Sequence, residues 1–326
     1  VVCKATVELI SGLVTASHGR HYTVECADGN ARHCYPRGKK SDVVVGDDVD
    51  VQLQGQDQGV ILAIHPRRNL LRRADAQRSK SFAANIDQLL IVIAGEPLFS
   101  PDLLGRALVA AHSAGIVPII LLNKADLSDS LLRAKTQLAQ LLPAASGGQS
   151  EHSQTSATAP LILTLSARDT HDLRQQLLPC LSARRSLLLG QSGMGKSTLL
   201  NALVPHALSA TQSHSTALAS GRHTTTSTRL YHLQDPQTGN AQPPGQLIDS
   251  PGFQTFGLSH LSPQAVLQGL PDLLPHAARC RFYNCTHQHE PGCGILAALA
   301  AGHIPAAQHA LYQRILQENE TAQKYF

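Results

Sequence analysis

The chain has 326 residues, 42% of them apolar, 15% charged and 4% aromatic with no Trp, and its formal net charge is +4. This composition excludes a chain disordered throughout and a fibrous repeat, and the length suits two or three domains. The longest apolar runs, 89–94 and 116–122, fall far short of the roughly 18 residues needed for a membrane span, so no membrane segment is expected. No basic stretch followed by a long apolar one opens the chain, which argues against secretion, and with Val1 rather than Met at the start, a missing upstream segment is an expectation.

Residues 6–64 read as short β segments separated by turn signals: 22–26, then Asp28-Gly-Asn, then 43–51, then 59–64. Several short strands in so short a span predict a small barrel of the five-stranded OB type, a common nucleic-acid-handling fold. The plainer alternative is a β domain that only packs or tethers, since no interleaved Phe and Tyr offer a stacking platform. Next comes a basic run. Arg67, Arg68, Arg72, Arg73, Arg78 and Lys80 face a single acid, Asp75, a pattern that reads as a solvated linker or a polyanion contact.

Beyond residue 80 the pattern changes to strand and helix in alternation. Apolar runs at 87–94, 117–124, 161–166 and 185–190 are followed by helical stretches at 102–114, 128–142, 170–181 and 196–203, which predicts a parallel sheet covered on both faces. Ligands of such sheets bind beyond the C-terminal ends of the strands. Two motifs stand at those ends first: Asn123-Lys124-Ala125-Asp126, then Ser166-Ala167. Polar tracts at 144–160 and 235–245 read as exposed loops.

At Gly190-Gln191-Ser192-Gly193-Met194-Gly195-Lys196-Ser197-Thr198 the chain carries G-x-x-x-x-G-K-S between an apolar strand and a helix, the context a phosphate-binding loop requires. Glycines let the backbone N–H groups wrap phosphate, Lys196 supplies a charge to the β and γ oxygens, and the Ser197 hydroxyl suits Mg²⁺. With a nucleotide phosphate so placed, N-K-x-D gains meaning. Asp126 can accept from both guanine N1–H and N2–H₂, a donor pair adenine lacks, so GTP is favoured over ATP; the alternative is that Asp126 caps the next helix. Ser166-Ala167 would put backbone groups near guanine O6. Gly221-Arg-His223-Thr224-Thr225-Thr226 occupies the place of a γ-phosphate-sensing switch, with Thr225 the candidate to complete the Mg²⁺ shell. Asp249-Ser-Pro-Gly252 then gives D-x-x-G, in which Asp249 holds Mg²⁺ through water and the Gly252 N–H meets the γ-phosphate. Phe253 follows where many GTPases carry a water-orienting Gln, so slow intrinsic hydrolysis is expected. His223 is the candidate to position water once a partner orders its loop, unless it is an ordinary exposed loop residue.

From about 261 the chain turns helical around Cys280-x4-Cys285-x-His287-x5-Cys293, three thiolates and an imidazole suited to one closed, structural Zn²⁺, with His289 as a substitute ligand. The other cysteines, Cys3, Cys26, Cys34 and Cys180, are scattered, and the total of seven is odd, so a reducing cytosol fits better than a disulfide framework.

Motif order is the anomaly. N-K-x-D begins at 123, well before the phosphate loop at 190, so the GTPase set is complete but circularly permuted, and D-x-x-G runs straight into the C-terminal domain. This order, with Gly-Gln-Ser-Gly-Met-Gly-Lys-Ser-Thr-Leu-Leu-Asn, Gly-Arg-His-Thr-Thr-Thr, Asp-Ser-Pro-Gly-Phe, Arg68-Asn-Leu-Leu-Arg-Arg-Ala-Asp, Ala83-Ala-Asn-Ile-Asp-Gln and the cysteine cluster, resembles the bacterial small ribosomal subunit biogenesis GTPases, the RsgA family. The resemblance implies an OB domain (1–66), a circularly permuted P-loop α/β GTPase domain (67–258) and a mostly helical zinc domain (259–326). It implies binding to the small ribosomal subunit and its rRNA late in assembly, with GTP hydrolysis releasing assembly factors and the enzyme itself. It also points to His223 for catalysis and His287 as the zinc ligand. A cytoplasmic monomer binding GTP and GDP is expected; the runner-up is an RNA-binding module gated by nucleotide, with incidental turnover.

Overall fold

The computed structural model describes residues 9–38, 42–74, 79–142, 160–205, 207, 227–233, 245–251 and 256–323. Its first five strands are β1 (Leu9–His18), β2 (His21–Cys26), β3 (Ala31–Pro36), β4 (Asp48–Leu53) and β5 (Gln58–Ile64). β1 pairs antiparallel with β2, β2 with β3 and β4 with β5; β3 lies parallel to β5, and β4 returns to β1, so the sheet closes into a five-stranded barrel. Closure abolishes the exposed edges of so small a sheet. Alternation sets its interior: Tyr22, Val24 and Cys26 of β2 meet Val14, Cys34, Val49, Val51 and Ile61 in a core of their own.

The segment 43–51, expected as one strand, is divided. Gly46 turns the chain at φ 91°, and a Cβ there would stand 2.3 Å from the Ala84 carbonyl oxygen, so only glycine permits this approach. The β4 strand therefore starts at Asp48. Strands β1 and β3, which the sequence reading does not pick out, complete the barrel.

In its described residues the basic run is structured rather than an open linker. It contributes a hairpin, β6 (Leu70–Ala74) with β7 (Ser79–Ala84), and its first two arginines are engaged: Arg67 Nε donates to Asp47 Oδ1 at 2.7 Å and Arg68 Nη1 to Asp87 Oδ1 at 2.6 Å. Both partner carboxylates lie about twenty residues from their arginines, beyond the reach of a local charge count.

The α/β part follows in the predicted alternation: β8 (Gln88–Ala94), α1 (Pro101–Ser113), β9 (Val117–Asn123), α2 (Ser128–Leu141), β10 (Leu161–Thr164), α3 (Thr170–Leu181), β11 (Arg185–Gly190), α4 (Lys196–Leu203), β12 (Arg229–His232) and β13 (Gln246–Asp249). Its strands lie in the order β10-β9-β8-β11-β13-β12, all parallel except β12, which joins barrel strand β1 through the single pair Ala16 and Arg229. Runs such as Leu89–Ala94 and Ile119–Leu122 are buried throughout because helices cover both faces. Ser100 caps α1 by accepting from the Leu103 N–H, with Pro101 at the first position, and α3 presents Leu173, Leu177 and Leu181 at four-residue spacing to the core.

The C-terminal part is helical: α5 (Pro263–Gln268), a 3₁₀ turn (Pro271–Leu273), α6 (Leu274–Ala277), α7 (Gly294–Ala300) and α8 (Ala306–Gln323). Ile295, Leu311, Tyr312, Ile315 and Leu316 belong to the same continuous core as the central sheet. No described helix is long and apolar enough to cross a membrane.

Candidate nucleotide site and metal cluster

Parallel strands deliver the motifs to one edge. N-K-x-D ends β9, Ser166-Ala167 follows β10, the phosphate loop follows β11 and Asp249 ends β13, so the C-terminal ends of four strands share one crevice whatever their order along the chain.

The phosphate loop runs from Gly190, where a Cβ would stand 2.7 Å from the Val92 carbonyl oxygen, to the start of α4. Gly195 caps that helix at φ 91° and contributes no side chain; a Cβ there would meet Asn123 Nδ2 at 2.3 Å. A helix start without a side-chain cap, approached by Gly193 at φ 84°, is suited to an anion. Met194 is buried beneath the loop, while Ser192 and Thr198 are exposed and Gln191 and Ser197 half-buried. Burial pushes the Lys196 ammonium below its ordinary value, opposed by the nearby Asp249 carboxylate. A phosphate placed there would supply the counter-charge that burial withholds. Asp249 is itself buried, and the neighbouring Ser250 hydroxyl donates to the Leu188 carbonyl at 2.9 Å, holding this strand end against β11.

Asn123 acts as a tie between three motifs. Its Nδ2 donates to the Met194 carbonyl at 2.8 Å and its Oδ1 accepts from the Ala167 N–H at 2.9 Å, with the residue buried. An amide with both ends satisfied in a buried position sets the spacing between the phosphate loop and the loop after β10. Asp126 stands one turn on, where Oδ1 accepts from the Ser166 hydroxyl at 2.8 Å and Oδ2 lies 3.5 Å from Arg168 Nη1. The Ser166 hydrogen bond is the main reason its carboxyl sits below the usual carboxylate range, so it is an ionised acceptor facing solvent. These contacts make a capping-only role for Asp126 unnecessary: α2 has no side-chain cap.

Three contributors carry no sequence motif. The Lys124 Nζ donates to the Glu96 carbonyl at 2.6 Å, the Ser100 N–H donates to Gln191 Oε1 at 2.8 Å, and Pro97 lines Gly193, so the loop leaving β8 braces both N-K-x-D and the phosphate loop. These pairs are 28 and 91 residues apart, and no local pattern signals them. His223, Thr225, Gly252 and Phe253 lie outside the described residues.

The second constellation lies between α6 and α7. One ligand atom from each of Cys280, Cys285, His287 and Cys293 falls within 4.8 Å of all the others. The His287 Nδ1 is 3.4 Å from Cys280 Sγ and 3.5 Å from Cys293 Sγ, and the two sulfurs are 3.9 Å apart. Backbone geometry prepares them: His287 takes φ 62°, Cys293 caps α7 with its sulfur accepting from the Leu296 N–H, and the Gly294 N–H points at Cys280 Sγ from 3.3 Å. Such donors favour thiolate. Burial first, and then the neighbouring Cys293 and Cys280, push the Cys285 thiol up to about 12, and burial lowers the His287 imidazole, so a dication is what this set of donors fits. His289 is exposed and outside the converging four.

Residues 64–259 match the family model described as RsgA GTPase. The small ribosomal subunit biogenesis GTPase RsgA of Bordetella pertussis is 55% identical over 96% of this chain and 98% of its own. That of Burkholderia pseudomallei strain K96243 is 52% identical over 95% and 93%. Among solved structures, YjeQ from Thermotoga maritima aligns with TM-score 0.68 at 25% identity, covering 96% of this chain and 99% of that one. YloQ, titled a circularly permuted GTPase, aligns with TM-score 0.64 at 23% identity and 98% coverage of both, a likeness of fold. With the family model spanning most of the chain and relatives above half identity over nearly all of it, the chain belongs to the RsgA GTPase family.

Proposed function

We propose that this protein hydrolyses GTP to GDP and phosphate during late maturation of the small ribosomal subunit, with turnover stimulated by the subunit. The supporting observation is the single crevice shared by Asn123, Asp126, Ser166, Ala167, the phosphate loop and Asp249 despite their permuted order. Asp126 accepts the guanine N1–H and N2–H₂, Lys124 flanks the base, and Ser166 and Ala167 meet O6. The loop Gly190 to Thr198 wraps the phosphates. Ser197, Asp249 through water, and Thr225 would hold Mg²⁺, which would supply positive charge to the phosphates. Water attacks the γ-phosphorus while its bond to the bridging oxygen breaks; Lys196 stabilises the charge growing on the leaving side, Gly252 contacts the γ-phosphate, and His223 orients the water. Cys280, Cys285, His287 and Cys293 would hold Zn²⁺ with four protein ligands, which would give it a structural role.

We divide the chain into a barrel domain (1–66), a GTPase domain (67–258) and a zinc domain (259–326). The partners are the small subunit, its rRNA and assembly factors, met by a monomer in the cytoplasm. Steady-state GTP hydrolysis, with small subunits, large subunits or neither, tests the reading against a Lys196→Ala blank. Acceleration specific to small subunits is expected. Nucleotide-dependent subunit binding with an unchanged rate would instead favour the gated binding module. Guanine selection is tested by Asp126→Asn, which should transfer preference from GTP to xanthosine triphosphate. An unaltered preference would remove the role given to Asp126.

A further inference from the structure

The hairpin of β6 and β7 makes a second connection, distinct from its attachment to the barrel. Its Ala74 N–H donates to the Gly257 carbonyl at 2.9 Å, the Ser259 N–H donates to the Ala74 carbonyl at 3.1 Å, and Ala74 pairs with Leu258 as a parallel bridge. The chain leaving D-x-x-G is thus added to the hairpin as a short third strand. Beside it the rings of Phe82 and Phe256 stack, with centroids 6.5 Å apart and planes at 24°, and both residues are almost wholly buried. The Arg73 guanidinium lies over Phe82, 5.4 Å from the ring centre. Phe256 stands only seven residues beyond Asp249, and it lines, with Ile93, Leu189, Gly190 and Gln191, a small apolar cavity against the phosphate loop.

At its other end the hairpin is fixed to the barrel. The Ala84 N–H donates to the Val45 carbonyl at 3.0 Å, and Asn85 Nδ2 donates to the Gly46 carbonyl at 2.9 Å. Two buried rings in contact do not slide independently, because separating them opens an unfilled gap. A displacement of Phe256 must therefore move Phe82 and the hairpin with it. The exposed Arg72 stands on this hairpin beside Arg73, where phosphates of a polyanion would pull.

We propose that Phe82 is a positioning residue for the nucleotide site: through Phe256 it sets the packing against Gly190 and Gln191 of the phosphate loop, and so couples RNA contact at the hairpin to GTP turnover. The coupling to RNA rests on the function proposed above; the link from nucleotide to hairpin does not. Linkage makes the effect reciprocal, so nucleotide state must change the hairpin's own stability.

Hydrogen exchange of the Ala74 and Ser259 amides, compared between protein bound to GDP and to a non-hydrolysable GTP analogue with no ribosomal material present, reads that link directly. A difference of at least about threefold is expected. Equal exchange in the two states overturns the proposal. The second arm measures the ratio of subunit-stimulated to basal kcat, alongside the melting midpoint, for Phe82→Leu, Phe256→Leu, the double variant and Phe82→Tyr. The ratio should fall about tenfold in each Leu variant, fall no further in the double, and return with Phe82→Tyr, which restores the ring. A lowered midpoint with an undiminished ratio would make Phe82 merely structural and sink the idea. If wild-type protein is not stimulated by subunits yet its two nucleotide states differ in exchange, the ribosomal reading fails while the link through Phe82 stands.

Discussion

The barrel has a core of its own, built on Val14, Val24, Val49 and Val51, and meets the rest of the molecule mainly through charges and carbonyls, with Val45 and Leu13 its apolar contribution to the larger core. Arg67 engages Asp47, and the Gly46 carbonyl accepts from both Asn85 Nδ2 and Arg185 Nη1. The C-terminal helices are attached in the opposite manner. Leu311, Ile315 and Leu316 of α8 lie in the same apolar cluster as the central strands, with an ionic rim in which Arg106 of α1 bonds Asp102 and Glu318. A polar seam is directional and keeps two cores separable; a shared core melts with whatever completes it. The metal cluster should therefore stabilise the GTPase sheet, and the barrel should unfold as its own unit.

Calorimetry can break this contrast, and the chain has no Trp to serve as a fluorescent probe. The largest effect is expected from stripping the metal with a strong chelator, or from Cys293→Ser. Cys293 both caps α7 and faces His287, and the binding energy of structural zinc sites reaches about 10 kcal/mol. The main transition should fall by more than roughly 10 °C while the barrel transition stays in place. A main transition unmoved by metal loss would show that the shared core does not couple the two parts. Next is Leu311→Ala, which empties a buried site in α8 packed against Gly105 of α1 and should cost about 3 kcal/mol in the same transition.

Arg67→Ala tests the other junction. It strands the Asp47 carboxylate, whose side chain is 0% exposed and which would keep the hydrogen bond from the Val44 N–H. A buried charge deprived of its partner costs about 3 kcal/mol, and here the loss should appear in the barrel transition. If the main transition falls instead, the seam belongs energetically to the sheet.

The same contrast explains what could be read from residues alone. The phosphate loop, N-K-x-D and the cysteine cluster are contiguous, and each carries its chemistry within a few positions, so Lys196, Asp126 and Cys280 are legible without a fold. The parallel sheet is legible too, because strands buried on both faces are uninterrupted apolar runs. Arg67 and Arg68 are not: a charge count sees only neighbours, while their carboxylates arrive from β4's approach and from the start of β8. The second role of Asn123, bonding Met194 and Ala167 across 71 and 44 residues, is invisible for the same reason. Nor does anything local mark Gly46, whose turn divides the expected strand at 43–51.

The smallest predicted effect sharpens the comparison most, because it concerns the adjacent residue. Arg68 makes an ion pair as short as that of Arg67, 2.6 Å to Asp87, and also donates to the Asn85 carbonyl at 2.8 Å. Its side chain, however, is 60% exposed and that of Asp87 18%, against 18% and 0% for Arg67 and Asp47. Water and salt can replace Arg68 where they cannot reach Asp47. Arg68→Ala should therefore cost under about 1 kcal/mol, a loss that shrinks further in 0.5 M salt, whereas the Arg67→Ala deficit should persist. Equal costs for the two variants, or equal salt dependence, would mean that burial of the carboxylate is not what separates the two pairs in strength.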